Sequence, residues 1–386
     1  MAVIYQQLCP VLFGNDAIAA MAKRAAEDGR KKAFICCDKG VRATGGPDRV
    51  AAALKEEGID SYIFDEIIPD APDDSVNHIA ELMSGFGTDL ILGVGGGSSL
   101  DAAKAAGVVM DMGQPINVFM EENGNPGFQI KTPCYVVPTA AGTGSEVTPM
   151  CVIHEKASDS KKVVLRRAEL AVLDPTLTVS CPRSVTLNAA MDAMSHCLEA
   201  YTSVNPNPKD KILCINALRM IRENLPIALE QPENLDARGN LLVAANLAGI
   251  AFAEMSVHVG HCFAHEVGLR FEINHGVCCG WAAPETVRYT SAAKPAEMVD
   301  IAKALDIELP EGVTGKEAGD VIAAGIRKML RGYGLKTMKE MGVDRAELIT
   351  IAKDAIDHNW FHVMCPGDMS YAQMEQYLAD AYDNFQ

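Results

Sequence analysis

The chain has 386 residues, 48% of them hydrophobic and 22% charged, enough for two domains with separate cores, because single cores tend to stop growing near ~250 residues. A formal charge of -17 excludes a nucleic-acid partner, which needs clustered basic side chains, and leaves small metabolites. No apolar run approaches the ~20 residues of a bilayer span, and Met1-Ala2-Val3-Ile4-Tyr5 lacks the basic segment and apolar core of a secretory signal, so residence in the cytoplasm is expected.

Helical and extended patterns alternate through the first half. Position 16 opens an alanine-rich helix over 16–27, followed by a buried strand over 33–37 and a helix over 48–57 that stops at Gly58. A strand over 61–64, a helix over 74–86 capped by Asp73 or Asp74, a strand over 90–94, a helix over 98–110 and a strand over 134–137 continue the series. The last extended run is 171–173. Strands alternating with helices predict a parallel sheet covered on both faces. From about residue 182 helical periods take over, at 187–201, 211–224, 237–252, 257–267, 277–289, 316–333, 345–356 and 371–382. The expected division is an α/β domain over 1–181 and an α-helical domain over 182–386.

Two segments of the first half carry nucleotide chemistry. Gly93-Val94-Gly95-Gly96-Gly97-Ser98-Ser99 lies where a strand gives way to a helix, with Ser98 read as the cap. Glycines there let backbone approach a diphosphate while the first helical amides point at its charge; a plain tight turn is the competing reading. The spacing is not G-x-G-x-x-G, and the run follows the third predicted strand rather than the first, so a dinucleotide fold in the usual order is disfavoured. A second loop, 138–148, is dense in small residues and hydroxyls suited to a diphosphate or ribose, or is a polar connection. Asp38, at the end of the Phe34-Ile35-Cys36-Cys37 strand, could accept from an adenosine ribose and would repel a 2′-phosphate, which favours NAD over NADP, or it is a turn aspartate.

The second half holds the metal chemistry. Four of the 9 histidines fall between 258 and 275, and His261 and His265 share a helix face at four-residue spacing. Asp192 and His196 repeat that spacing upstream. Asp192, His196, His261 and His275 together make a mixed oxygen and nitrogen set suited to iron(II), zinc, cobalt or manganese, against the alternative that each histidine is a satisfied core residue. The 12 cysteines include the pairs Cys36-Cys37 and Cys278-Cys279 but no C-x-x-C spacing, and read as reduced, buried small hydrophobes.

With these pieces placed, the sequence resembles the iron-containing (group III) alcohol dehydrogenase family along essentially its whole length. The matching residues are Gly95-Gly96-Gly97-Ser98 with Asp101 and Lys104, Pro138-Thr139 with Gly142-Thr143-Gly144-Ser145-Glu146, Asp192-Ala193 with His196, and His261 with His265 and His275-Gly276. The resemblance implies a dehydroquinate synthase-like fold, with an NAD(P)-binding α/β N-terminal domain, an all-α metal-binding C-terminal domain and an active site in the cleft between them. Its metal ligands would be Asp192, His196, His261 and His275, holding iron(II) as the usual metal or zinc, with His265 as a nearby catalytic histidine. Cofactor contacts would come from Asp38, Gly95, Gly96, Gly97, Ser98, Thr139, Thr143, Thr148 and a lysine, Lys161 or Lys162.

Phe252 and Cys365 resemble residues lining the family's alcohol pocket. His258 and Glu254 depart from the family pattern there, and their polarity suggests a pocket for diols or hydroxy acids as well as simple alcohols. Asn274 replaces the proline that often precedes the last ligand. Family members often assemble as dimers or larger homo-oligomers. The expected activity is metal-activated hydride transfer between NAD(H) and a short primary alcohol, diol or hydroxy acid. A zinc polyol dehydrogenase of the glycerol type, a cyclising lyase and a non-catalytic scaffold are the competing readings.

Overall fold

A computed structural model of the chain describes residues 7, 9–120, 130–205, 207–367 and 369–386; the N-terminal segment read for a signal lies outside them. The chain divides into two compact units, Met1–Cys181 and Pro182–Gln386. Among the described residues no single helix is long and apolar enough to cross a membrane.

The first unit runs β1 (Val11–Phe13), α1 (Ala17–Glu27), β2 (Lys32–Cys36), α2 (Lys39–Ala43), α3 (Gly46–Glu56), β3 (Asp60–Phe64), α4 (Asp73–Phe86), β4 (Leu90–Gly95), α5 (Gly97–Met112), β5 (Cys134–Pro138), β6 (Met150–Glu155), β7 (Ser160–Leu165) and β8 (Leu170–Leu173). Six strands form one sheet in the order β1-β8-β5-β4-β2-β3, every pairing parallel. β4, β5 and β8 are buried at every position. Strands covered on both faces need unbroken apolar runs, which Leu90-Ile91-Leu92 and Tyr135-Val136-Val137 provide. On one face Ile35, Leu92 and Val137 pack with Met21, Ala25, Val50 and Leu54.

The strand order fixes where a ligand can sit. β2 pairs with β3 on one side, and the chain then crosses back to place β4 on the other side of β2. Between β2 and β4 the winding reverses, and the crevice beyond the carboxyl ends of strands at such a reversal is the usual ligand position in open α/β sheets. Asp38 follows β2 and Gly96, Gly97 and Ser98 follow β4, so both expected cofactor segments flank that crevice.

The second unit is helical throughout: α6 (Arg183–Thr202), α7 (Pro208–Glu230), α8 (Leu235–Met255), α9 (Val259–Phe271), α10 (His275–Thr290), α11 (Pro295–Leu305), α12 (Gly315–Gly332), α13 (Arg345–Thr350), α14 (Ala352–Asp357) and α15 (Tyr371–Asn384). α6 packs against α7, α8 and α10, and α9 against α10. That arrangement is the frame of the metal segments.

The structure corrects several local expectations. The antiparallel hairpin β6–β7 is not among the expected elements, because its half-buried strands show weak alternation rather than an apolar run. α11 was missed, and the span 345–356 is two short helices broken at Ile351. The cap of α4 is Pro72, with Asp73 and Asp74 inside the first turn. The cap of α5 is Gly96 rather than Ser98, whose hydroxyl instead accepts from the Asp70 amide at 3.1 Å. His258 is not helical: Ser256 adopts φ 66°, the run breaks, and His258 becomes the cap of α9.

Candidate metal centre and nucleotide crevice

α6 presents Asp192, His196 and Glu199 at positions i, i+4 and i+7, which share one face. Three imidazoles converge on one oxygen of Asp192. His196 Nε2 lies 3.5 Å from Asp192 Oδ1, His261 Nε2 3.6 Å and His275 Nε2 3.5 Å. Asp192, His196 and His261 are buried, and His275 is half-buried at the start of α10. Asn274 caps that helix, its amide oxygen accepting from Gly276 N at 3.1 Å, so the residue in place of proline fixes where the helix that carries His275 begins.

Ring packing holds the cluster. The His196 ring is stacked between Phe252, at 4.2 Å between centroids, and His261, at 4.6 Å. Phe252, expected as a pocket residue, therefore stands directly against one of the four expected ligands.

Glu199 organises His261 from behind. Its wholly buried carboxylate accepts from Ser195 Oγ at 2.9 Å, His258 N at 2.6 Å, His261 N at 3.2 Å and His261 Nδ1 at 2.5 Å. Burial opposes a charge on His261, and Glu199 and Asp192 override it, holding the metal-free imidazole up at about 9; with Nδ1 committed to Glu199, Nε2, the atom facing Asp192, is the one that would give up its proton to a metal. Gly260 permits this approach, since a Cβ there would stand 2.7 Å from Glu199 Oε1. Burial alone would push the Glu199 carboxyl up, but His261 and His258 outweigh it and bring it down to about 2. Burial likewise opposes ionisation of Asp192, and His196, His261 and His275 override it, holding the carboxyl well below the usual carboxylate range.

The group fits a divalent metal. His261 Nε2 is buried with no hydrogen-bond partner. A buried imidazole nitrogen beside a carboxylate oxygen, with further imidazoles at the same distance, is the donor set of a metal site. Sequence reasoning missed a further donor. Cys279 Sγ lies 3.5 Å from both Asp192 Oδ1 and His275 Nε2, and Asp192, His261, His275 and Cys279 offer four ligand atoms all within 4.8 Å of one another. Its position four residues after His275 was the available signal.

His265 lies one turn beyond His261 on α9, its ring 5.4 Å from that of His275. Its Nδ1 is 2.8 Å from Asn359 Oδ1, while Asn359 Nδ2 donates to Glu266 Oε1 and Ala355 O, each at 3.2 Å. Those two donations point Oδ1 at His265, so Nδ1 carries the proton. Asn359 is 94 residues away in sequence and had no local signal.

His258 is placed elsewhere than expected. It is fully buried, its Nε2 3.0 Å from Thr202 Oγ1 and its backbone amide on Glu199, so it braces Glu199 rather than lining a pocket. Glu254 is likewise committed, to Asn207 and Lys209 at 2.7 Å each. Cys365 is buried, 2% exposed.

In the first unit, Gly96, Gly97 and Ser98 are the half-buried residues between a buried strand and a buried helix. Gly95 adopts φ 153°, and a Cβ there would stand 2.6 Å from Ser99 Oγ. A Cβ on Gly97 would meet Thr143 Cγ2 at 2.7 Å, so the two expected loops touch. They are also bonded through Thr139 N to Gly95 O at 3.0 Å. Lys104, wholly buried, ties α5 to the second loop by donating to Ser145 O at 2.9 Å and pairing with Asp101 at 3.1 Å. Asp101 Oδ1 accepts from Ser145 Oγ at 2.5 Å.

Thr139 and Thr148 are buried and Thr143 half-buried, its hydroxyl accepting from Ser145 N at 3.2 Å. Asp38 caps α2 by accepting from Val41 N at 2.9 Å with one oxygen. Lys161 is paired with Asp70 at 2.9 Å, and Lys162 stands on the opposite side of β7.

The chain is similar to known proteins over most of its length. A family model described as iron-containing alcohol dehydrogenase matches residues 10–175, and the C-terminal model of the same family matches 186–382. The chain is 31% identical over 350 residues to an NAD-dependent methanol dehydrogenase of Bacillus methanolicus, covering 90% of this chain and 91% of that one. It is 32% identical over 358 residues to a 1,3-propanediol dehydrogenase of Citrobacter freundii, with the same coverage. The solved structure of an alcohol dehydrogenase from Oenococcus oeni superposes with a TM-score of 0.92 at 28% identity, over 98% of this chain and 100% of that one. The chain belongs to the iron-containing alcohol dehydrogenase family and is an alcohol oxidoreductase.

Proposed function

We propose that the chain is a metal-dependent, NAD(H)-linked alcohol dehydrogenase or aldehyde reductase acting on a short primary alcohol, diol or hydroxy acid. The observation that carries this reading is the convergence of His196, His261 and His275 Nε2 on Asp192 Oδ1 at 3.5–3.6 Å. Relatives named for methanol and 1,3-propanediol support the size of the substrate.

Asp192, His196, His261 and His275 would hold iron(II) or zinc. When bound, such an ion polarises an alcohol or aldehyde oxygen, and the nicotinamide ring accepts or gives the hydride. The remaining work falls to the chain itself. Glu199 keeps a proton at His261 Nδ1, which would leave Nε2 as the nitrogen that binds the ion. Phe252 packs on His196 and excludes water from that side. His265, fixed with its proton at Nδ1 by Asn359, would exchange the substrate proton at Nε2. In the first unit, Gly96, Gly97 and Ser98 would take the diphosphate at the amino end of α5, with Thr139, Thr143, Thr148 and Lys162 around it. Asp38 would receive ribose hydroxyls through the oxygen not used for capping, which favours NAD. A cytoplasmic homodimer or larger homo-oligomer is the working state that the family resemblance supports.

The test is NADH oxidation against a panel of short aldehydes, hydroxyaldehydes and aldehyde acids. Turnover of three- and four-carbon members is expected. No NADH oxidation with any of them, by protein that binds both NADH and metal, would contradict the reading and favour a lyase or scaffold.

A further inference from the structure

Cys279 is the cysteine that does not behave as an apolar filler. Cys278, beside it, turns its sulfur toward Ile273 O at 3.9 Å. Cys279 instead places Sγ 3.5 Å from the Asp192 oxygen and 3.5 Å from His275 Nε2, one helical turn after His275 on α10.

Four of the six distances among Asp192 Oδ1, His261 Nε2, His275 Nε2 and Cys279 Sγ have the dimensions of a coordination shell, and all six are within 4.8 Å. With metal–sulfur bonds near ~2.3 Å and metal–nitrogen and metal–oxygen bonds near ~2.1 Å, a regular tetrahedron has edges of roughly 3.4–3.6 Å. Asp192 Oδ1 lies 3.6 Å from His261 Nε2, 3.5 Å from His275 Nε2 and 3.5 Å from Cys279 Sγ. The edge between His275 Nε2 and Cys279 Sγ is also 3.5 Å. The second observation is independent of the cysteine: His261 Nε2, on a residue 3% exposed, is aimed into the same space with no hydrogen-bond partner.

We propose that Cys279 is a thiolate ligand of this centre, so that Asp192, His261, His275 and Cys279 bind a thiophilic divalent ion such as zinc or cobalt(II). The inference rests on the reading that a divalent metal binds at Asp192. On binding, the S–H bond breaks, the sulfur pair forms the metal–sulfur bond and the proton leaves to water. His196 then competes with Cys279 for the place beside the three shared donors. A sulfur donor tilts the site toward zinc and cobalt, whereas an oxygen and nitrogen set alone suits iron(II).

The probe is Co²⁺ exchanged into the full chain, read by near-ultraviolet absorption, where thiolate-to-cobalt charge transfer appears. The band should grow with one equivalent of cobalt, vanish in Cys279→Ala and persist in Cys278→Ala. X-ray absorption at the zinc edge of the zinc-loaded parent, which needs no variant to fold, should give one sulfur at about 2.3 Å. Bound cobalt without the band, a band that survives Cys279→Ala, or a zinc shell of nitrogen and oxygen alone would overturn the proposal and leave the metal reading standing. A parent chain that binds neither of these ions nor iron(II) would overturn both.

Discussion

Replacing Glu199 with glutamine removes one acceptor from a carboxylate that receives four hydrogen bonds. The amide oxygen serves best on the two backbone amides of His258 and His261, which cannot rearrange. The amide NH2 then faces Ser195 Oγ, which can rotate to accept, and His261 Nδ1, which can accept only by giving up its proton. The neutral imidazole would carry that proton at Nε2 instead, on the atom that should bind metal. Loss of such an orienting partner typically lowers metal affinity ~10–100-fold, or roughly 1.4–2.7 kcal/mol. Alanine at the same position leaves three buried donors and His261 unpaired, and should cost ~3–5 kcal/mol of a total stability of ~5–15 kcal/mol. Competition of each variant with a chelator reads the first number and urea unfolding the second. A folded Glu199→Gln chain that holds zinc as tightly as the parent would refute the assignment of Glu199 as the residue that positions His261.

Further outcomes follow from the same geometry. Gly97→Ala drives a methyl against Thr143 Cγ2 at 2.7 Å, and should weaken NADH binding in a fluorescence titration while leaving metal stoichiometry unchanged; an unchanged NADH Kd would count against the glycine run as the diphosphate site. Gly276→Ala would put its Cβ 2.1 Å from the Asn188 carbonyl oxygen on α6, so α10 must shift at His275, and both the unfolding midpoint and metal occupancy should fall. Retained occupancy would show that His275 tolerates the shift. Burial pushes the His258 imidazole down to about 4, against the pull of Glu199. Between about 4 and its unfolded value near ~6.5 the folded chain binds fewer protons than the unfolded chain, so this contribution is full above pH ~6.5 and lost as pH falls toward about 4, by up to ~3 kcal/mol. Urea unfolding of the metal-free chain across that range should show the slope, and His258→Gln should flatten it; parallel profiles would contradict the origin given.

What the sequence made legible was what is local. The four-residue spacings of Asp192 with His196 and of His261 with His265 survive because α6 and α9 are regular through them. The buried strands β4 and β5 announced themselves as apolar runs. Their order did not, and it is the crossing of β2 by the chain that explains why the glycine run follows β4 and still faces the reversal in the sheet. The hairpin β6–β7 lacked a run or a clear alternation. Glu199 stood at i+7 on the same α6 face as Asp192 and His196 and was readable as a third polar residue there, whereas Asn359 reaches His265 only through tertiary packing. His258 was misplaced for a backbone reason: the turn at Ser256 rotates it out of the α9 face and onto Glu199.

The most direct measurement strips the chain of metal under anaerobic conditions, reloads it separately with iron(II) and zinc, and follows NADH oxidation by a short aldehyde in each form. The account predicts no turnover in the stripped chain, turnover on reloading, and loss of both metal and turnover in Asp192→Ala. Equal turnover by the stripped and reloaded chains would contradict it, because the donors gathered around Asp192 would then have no part in the chemistry.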